Sequence, residues 1–374
     1  MEKIKILHII KSLGRGGAEM LLPETLKEHN KDKFEFHYIY FLPWKNQMVE
    51  AIEKSGGKVT CFTAKNNIQL LLQFSKIIKY CKENKIQIIH AHLPWAGFVS
   101  RLVHMITKIP VFYTEHNLQE RYHFITKKLN KWTFNFQTFG IGVSDDVTQS
   151  IKKNINPKIT VNTILNGVNT ISFQRNNSQS RNKIREQFGL PEDAFVIGTV
   201  AVFRFQKRLD LWLEILAESI NLNPKIYGII VGAGPLESLL HQKHVALGLE
   251  GKVFFAGLQT NVKPFYEAMD VFMMSSSFEG LPIALLEAMS MSCAIVSTNA
   301  GGIKEVLRHG EDGLIEVVDD WKKLSNSILL LVDDNEKLNY FQNNARDRVV
   351  TSFSIKTMVA QLEKLYLDQQ KNDY

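Results

Sequence analysis

Short apolar runs alternate along the chain with longer stretches whose apolar residues recur at helical spacing. In the first half the runs Lys5–Ile10, Phe36–Leu42, Val59–Phe62, Ile86–His90, Val111–Thr114 and Ile141–Ser144 read as strands. A further run at 163–165 precedes the turn Asn166-Gly167-Val168-Asn169. In the second half the strand-like runs are Phe195–Val202, Ile226–Val231, Val253–Ala256, Val271–Met274 and Ala294–Val296. Helical periodicity marks Met20–Lys27, Ile68–Tyr80, Phe265–Asp270, Ile328–Val350 and Ile355–Leu367. Asp145 is placed to cap a helix, and Pro282 to sit in a first helical turn. Strands alternating with helices predict an α/β chain with parallel sheets. A length of 374 residues suits two domains with a core each. The polar stretch Thr170–Lys183 reads as the connection between two halves, residues 1–172 and 173–354.

The stretch Ser275–Glu305 concentrates the chemistry. The buried-strand pattern 271–274 breaks at Phe278-Glu279-Gly280-Leu281-Pro282 and a short amphipathic helix follows, with Leu285, Leu286 and Met289 on its apolar face. Glu279 lies at the start of that helix and Glu287 eight residues on, a little over two turns, so both can face one side. The free N–H groups and positive dipole end of the helix suit a phosphate. Carboxylates accept hydrogen bonds from hydroxyls. The arrangement fits a nucleotide sugar, with diphosphate at the helix end, one carboxylate toward the hexose and one toward the ribose. Two solvated acids on a capped helix are the plain alternative.

Glu279-Gly-Leu-Pro-x4-Glu287-Ala-Met, followed by Ala300-Gly301-Gly302-x-x-Glu305, closely resembles the donor-site signature of the retaining glycosyltransferases of family four, which have the GT-B fold. The resemblance implies two Rossmann-like domains facing a cleft, with the final helix, about 355–374, crossing back onto the first. It assigns Glu279 to the hexose, Glu287 to the ribose, and Gly280 and Leu281 to the donor. Gly16 and Gly17, in Gly-Gly-Ala-Glu after the first strand, match a loop near the diphosphate and acceptor. Thr114-Glu115-His116 matches a position where a His touches the donor sugar, and His92 of His90-Ala91-His92 borders the acceptor side. Arg204 matches an Arg on the donor phosphates, while the second cation is Lys207 or Arg208, because the family's usual spacing is about two residues longer. Gly234, in Gly-Ala-Gly-Pro, falls on the nucleotide side and Leu258 beside the base; Ser275–Ser277 and 300–302 complete the pocket. The resemblance further implies retention of anomeric configuration. The donor would be a nucleotide diphosphate sugar, UDP- or GDP-linked, and the acceptor a glycan or lipid-linked hydroxyl in surface-polysaccharide or lipopolysaccharide assembly.

Composition narrows this. There is no Asp-x-Asp pair, and His90-x-His92 has no third ligand at matching spacing, so no metal or other cofactor is expected. Glu19 stands where a dinucleotide fingerprint starting at Gly14 needs a glycine, which weighs against a dehydrogenase. Another GT-B enzyme, such as an epimerase or a sugar-phosphate synthase, and a non-catalytic nucleotide-sugar binder remain alternatives. Cys61, Cys81 and Cys293 are few and scattered, as in a reducing cytosol. No apolar run approaches the ~20 residues of a membrane span, and the first residues read as a strand rather than a signal peptide. Charge is uneven: residues 1–175 hold 25 Lys and Arg against 13 Asp and Glu, and the rest hold 20 against 25. A basic first half predicts an anionic partner. No nucleic-acid partner is expected, since no recognised binding motif appears. Lys127, Lys128 and Lys131 interleave with Phe124, Trp132 and Phe136, and Lys76, Lys79 and Lys82 line another helix; peripheral contact with an anionic membrane surface and ordinary helices covering their own domain are both open readings. Together these features predict a cytoplasmic protein, with the inner face of the cytoplasmic membrane as a candidate place of peripheral contact.

Overall fold

A computed structural model describes residues 2–176 and 178–372. The chain forms two compact units, one running to Gly167 and resuming at Ile355, the other spanning Val168–Ser354. Position 177 of the expected connection and 373–374 of the expected last helix lie outside the described residues.

The first unit holds strands β1 (Ile4–Ile10), β2 (Phe34–Tyr40), β3 (Lys58–Cys61), β4 (Ile88–His92), β5 (Val111–Glu115), β6 (Phe139–Gly142) and β7 (Val161–Thr163). They form one sheet in the order β3-β2-β1-β4-β5-β6-β7, parallel throughout. A parallel sheet is covered by helices on both faces, so its central strands are apolar at nearly every position. Ile6, Ile10, Leu22, Leu26, Phe34, Phe36, Tyr38, Ile88 and Phe112 make one core cluster. The helix Ile355–Asn372 completes it with Leu362 and Tyr366. Glu363 on that helix accepts from the Asn30 backbone N–H (2.7 Å) and meets His29 Nδ1 (3.0 Å).

The second unit holds β8 (Phe195–Val200), β9 (Ile226–Val231), β10 (Val253–Gly257), β11 (Val271–Met274), β12 (Ala294–Thr298) and β13 (Leu314–Glu316). Their order is β10-β9-β8-β11-β12-β13, again all parallel. Trp212, Leu213 and Leu216 of the helix Leu209–Leu222 pack on Ile197, Ile230, Met273 and Val296.

The structure departs from the sequence expectations at several points. The first unit ends at Gly167, not residue 172, because Val168 donates to Phe353 O and Arg346 donates to the carbonyls of Thr170 and Phe173. These bonds tie the start of the connection to the second unit. Residues 178–187 of that polar stretch are a helix, Ser178–Gln187, docked through arginines together with the single buried apolar residue Ile184. Arg181 and Arg185 each donate to Asp270 (2.8 Å), and Asp270 also accepts the Val196 N–H. The expected helix Ile68–Tyr80 is two helices, Asn67–Leu72 and Phe74–Asn84, and Ile328–Val350 is Lys323–Asp333 and Asn335–Ser352. In the second case Asp334 stops one helix and caps the next, accepting from the Lys337 N–H. Ser144, not Asp145, caps the helix Asp145–Ile155. Pro282 is itself the cap residue of Ile283–Ser290.

Asp270 lies in the interior of the second unit with two guanidiniums on it. Removing one partner of a buried ion pair costs about 3–5 kcal/mol. Asp270→Ala is therefore expected to lower the second unit's stability by that order, read as a fall in its urea midpoint.

Candidate active site

Within the first unit the polar residues collect at the carboxyl ends of β1, β4 and β5, where open α/β sheets bind ligands. Glu115, the last residue of β5, is fully buried and organises this edge. It accepts from the hydroxyls of Tyr113 (2.7 Å) and Tyr122 (2.5 Å), from Gln119 Nε2 (2.7 Å), and from the backbone N–H groups of His116 (2.9 Å) and Asn117 (3.3 Å). Burial raises its carboxyl above the usual range, and those donors oppose the rise. Gln119 in turn accepts from Asn130, and Asn130 accepts from the buried Arg101, which also bonds Gln137 and Thr133. The chain behind His116 is thus braced from β5 through two helices.

His116 follows Glu115 directly. Its Nε2 is 3.4 Å from His92 Nδ1, and His92 Nε2 is 2.9 Å from Nδ1 of His8. His90 stacks on His92 with ring centroids 4.4 Å apart; its Nδ1 meets the Tyr366 hydroxyl (2.5 Å) and its Nε2 the Thr114 hydroxyl (2.7 Å). Burial lowers His116 to about 4 and His90 to about 3, and takes His8 and His92 well below the ordinary imidazole value. All four are neutral at neutral pH. β4 runs two residues further than the sequence suggested, so His90 and His92 share a face, and His8 of β1 pairs in register with His90. This supplies the third imidazole that sequence spacing did not: one ring nitrogen from each of His8, His90 and His92 falls within 4.8 Å of the others. Hydrogen bonds already engage every nitrogen of the three except His8 Nε2. The cluster is therefore a hydrogen-bonded set rather than a cradle of free lone pairs.

Gly16 and Gly17 open the helix Gly17–Glu28 beyond β1. Glu19 accepts from the Ser12 hydroxyl (2.9 Å) and closes that loop.

Within the second unit the sites gather at the ends of β8, β9, β11 and β12. Lys207 donates to Glu279 Oε1 (2.6 Å), and Ser276 Oγ donates to the same oxygen (2.6 Å). Ser275 Oγ bonds the carbonyls of Lys207 and Arg208, and the Ser277 N–H bonds Gln206 O, so the short turn Phe205–Lys207 is fixed to the loop after β11. Arg204 is exposed, and its guanidinium has no partner among the described residues. Arg208 lies 3.7 Å from Asp210, at φ +47. The helix Ile283–Ser290 has no side-chain cap, which leaves its first N–H groups open beside Glu279. Gly280 and Leu281 are buried; Gly280 O accepts the Gly302 N–H. Gly301, at φ +58, sits so close that a Cβ would lie 2.1 Å from Glu279 O, so the two loops touch backbone to backbone. Gly234 is held likewise, 2.6 Å from Phe203 N by the same measure. Glu287 is buried and accepts from Tyr266 (2.8 Å). Leu258 is exposed just past β10.

Lys207 and Glu279, assigned separately from sequence to phosphate and hexose, are thus bonded to each other, and His92 is joined to His116. Sequence reasoning missed His8, Tyr266, and Glu115 as the centre of five donors. Only the position of Glu115 inside Thr-Glu-His gave a signal for any of them.

Two family descriptions match the chain: "Glycosyltransferase Family 4" over residues 15–171 and "Glycosyl transferases group 1" over 180–348. The chain belongs to the family four glycosyltransferases. Among similar proteins, an Escherichia coli UDP-Gal:alpha-D-GlcNAc-diphosphoundecaprenol alpha-1,3-galactosyltransferase is 25% identical over 99% of this chain and 98% of its own. The Staphylococcus aureus capsular polysaccharide biosynthesis glycosyltransferase CapH is 26% identical over 94% and 98%. The crystal structure of Anabaena HepE in complex with UDP and glucose superposes with a TM-score of 0.88 at 22% identity, covering 98% of this chain and all of that one. The fold of this glycosyltransferase is GT-B. No helix among its described residues is long and apolar enough to cross a membrane.

The neutral imidazoles carry a sign for pH. Their folded pKa values lie below the unfolded value of ~6.5, so below that pH the unfolded chain takes up protons the fold excludes. Each such group then removes up to about 1.4 kcal/mol of stability per pH unit as pH falls. Glu115, raised, acts in the opposite direction but is one group. The first unit's urea midpoint is expected to fall between pH 7.5 and pH 5.5, and to fall less in His90→Gln. An unchanged midpoint would contradict this account of the cluster.

Proposed function

We propose that this glycosyltransferase moves a hexose from a UDP-sugar to a hydroxyl of a lipid-linked glycan, with retention of anomeric configuration, during assembly of bacterial surface polysaccharide. The observation that carries the reading is the knot of Lys207, Glu279 and Ser276 beside an uncapped helix N-terminus and the unpartnered guanidinium of Arg204. UDP is favoured over GDP by the galactosyltransferase and by the UDP complex of HepE. The diphosphate of the donor seats on the first N–H groups of the helix Ile283–Ser290, with Arg204 forking onto its oxygens and Lys207 supplying a point charge. Negative charge grows on the leaving diphosphate in the transition state, and these groups are in place before it appears. Glu279 keeps one carboxylate oxygen for a hexose hydroxyl, and Glu287, oriented by Tyr266, receives the ribose. His116 contacts the transferred sugar. The leaving phosphate accepts the acceptor's proton. With cationic side chains and helix N–H groups stabilising the diphosphate, the reaction requires no metal.

The lipid-linked acceptor places the protein at a membrane surface. The helix Pro94–Thr107 packs on β1, β4 and β5, and the helices Asn67–Leu72 and Phe124–Thr133 pack against it. They expose Ile68 and Leu72, Leu102, Met105 and Ile106, and Phe124, Ile125 and Trp132. Lys65, Lys108, Lys128 and Lys131 are exposed among them. Apolar side chains interleaved with lysines suit the interface of an anionic bilayer at the inner face of the cytoplasmic membrane.

UDP-sugars are expected to raise the melting temperature more than GDP-sugars do. Arg204→Ala and Glu279→Ala are expected to fold normally and to lower kcat by about 10²–10³-fold. Either variant retaining full transfer of radiolabelled sugar would remove the assigned site. EDTA is expected to leave the rate unchanged, and the product's anomeric signal to match that of the donor. For the surface, Trp132→Glu with Lys128→Glu should abolish co-sedimentation with phosphatidylglycerol vesicles while transfer to a soluble acceptor continues.

A further inference from the structure

We propose that His8 and His92 are positioning residues which set the tautomer of His116, placing its proton on Nδ1 so that it meets the sugar as a hydrogen-bond donor. The inference rests on the sugar-contacting role given to His116 above. Its physical basis is the series His8 Nδ1···His92 Nε2 (2.9 Å) and His92 Nδ1···His116 Nε2 (3.4 Å).

A neutral imidazole has one N–H and one lone pair. Three in series therefore orient together, and only two arrangements exist. In one, His116 Nε2 donates to His92 and His92 Nε2 donates to His8. The proton on His8 must then sit on Nε2, which is buried and without a partner among the described residues. In the other, His8 Nδ1 donates to His92 and His92 Nδ1 donates to His116. His8 Nε2 is then a bare lone pair, and His116 carries its proton on Nδ1.

The surroundings of His8 separate the two. Its ring lies 15° from parallel with Tyr38, at a centroid distance of 5.1 Å, so an N–H in the imidazole plane is not aimed at the face of that ring. His90 cannot accept from it, because Thr114 and Tyr366 hold both His90 nitrogens. A buried N–H without an acceptor is the rarer and costlier orphan. The chain therefore runs from His8 outward. Protonating any link would break the series, and burial disfavours the charged form of all three rings.

The consequence for His116 is specific. Its Nε2 lone pair is occupied by His92, and Nδ1, with no partner among the described residues, presents an N–H. This side chain donates to an electron-rich oxygen of the sugar and does not remove a proton from the acceptor. His92 acts through His116.

Long-range ¹H–¹⁵N spectra of the histidine-labelled full chain at pH 7.5 test the proposal, with the His116 signals assigned by their loss in His116→Gln. The expected pattern is that of an Nδ1–H imidazole. His8→Leu removes the first donor and should shift His116 toward the other tautomer. It should also lower kcat roughly 10-fold, the scale of one neutral hydrogen bond, at little change in KM. His8→Asn, whose amide N–H stands near the lost Nδ1–H, should restore both. An Nε2–H pattern in the wild type, or a His116 tautomer unmoved in His8→Leu, would overturn the proposal. A wild type with the Nδ1–H pattern but no transferase activity would uphold the relay and overturn the functional reading instead.

Discussion

Every paired strand in the two sheets runs parallel to its neighbour, and this constraint decides where chemistry can sit. Parallel strands need crossover helices, the helices cover both faces, and the strands become apolar along most of their length. Polar side chains with a task are then pushed to the carboxyl ends, where the chain leaves the sheet. His92, Glu115 and His116 stand there in the first unit, and Arg204, Lys207, Gly234, Leu258 and Glu279 in the second. A polar group at such an edge is half inside the core, so it must find partners. Glu115 meets that demand with five donors, and Glu279 with Lys207 and Ser276. These bonds also hold the loops still, which is what a preorganised site requires.

The sequence was most legible where one local pattern decided the outcome. Val271–Met274 was found as a strand because an unbroken apolar run has few other uses, and Glu279 and Glu287 were found because eight residues of helix relate them. Partners far along the chain were not legible. Lys207 and Glu279 are 72 residues apart, and Tyr266 reaches Glu287 from 21 residues away. His8 joined the cluster only once β1 and β4 were paired in register, and register is a property of two strands together. The missed helix breaks at Gln73 and Asp334 share another cause. The apolar period continues across both positions, so only the cap at Asp334 marked the second break. The helix Ser178–Gln187 escaped because Ile184 is its one buried apolar residue and its other anchors are Arg181 and Arg185, and a single apolar position makes no period.

The two units handle charge in opposite ways. In the second, cations and carboxylates stand together at the strand ends, where an exposed Arg204 can exchange water for phosphate. In the first, the strand-end cluster is kept neutral: burial suppresses the charge on four histidines, and Glu115 is enclosed in donors. The excess of lysine and arginine in that half of the chain therefore lies outside the histidine cluster. Lys65, Lys108, Lys128 and Lys131 are exposed beside apolar side chains on the covering helices. A lysine kept beside an exposed Phe or Trp gains little from salt bridging, whereas at a lipid headgroup layer both members of the pair gain. Under the proposed function, charge distribution separates two tasks of the first unit: a sheet edge suited to directing hydrogen bonds, with no net charge on the histidines, and a helical face suited to an anionic surface.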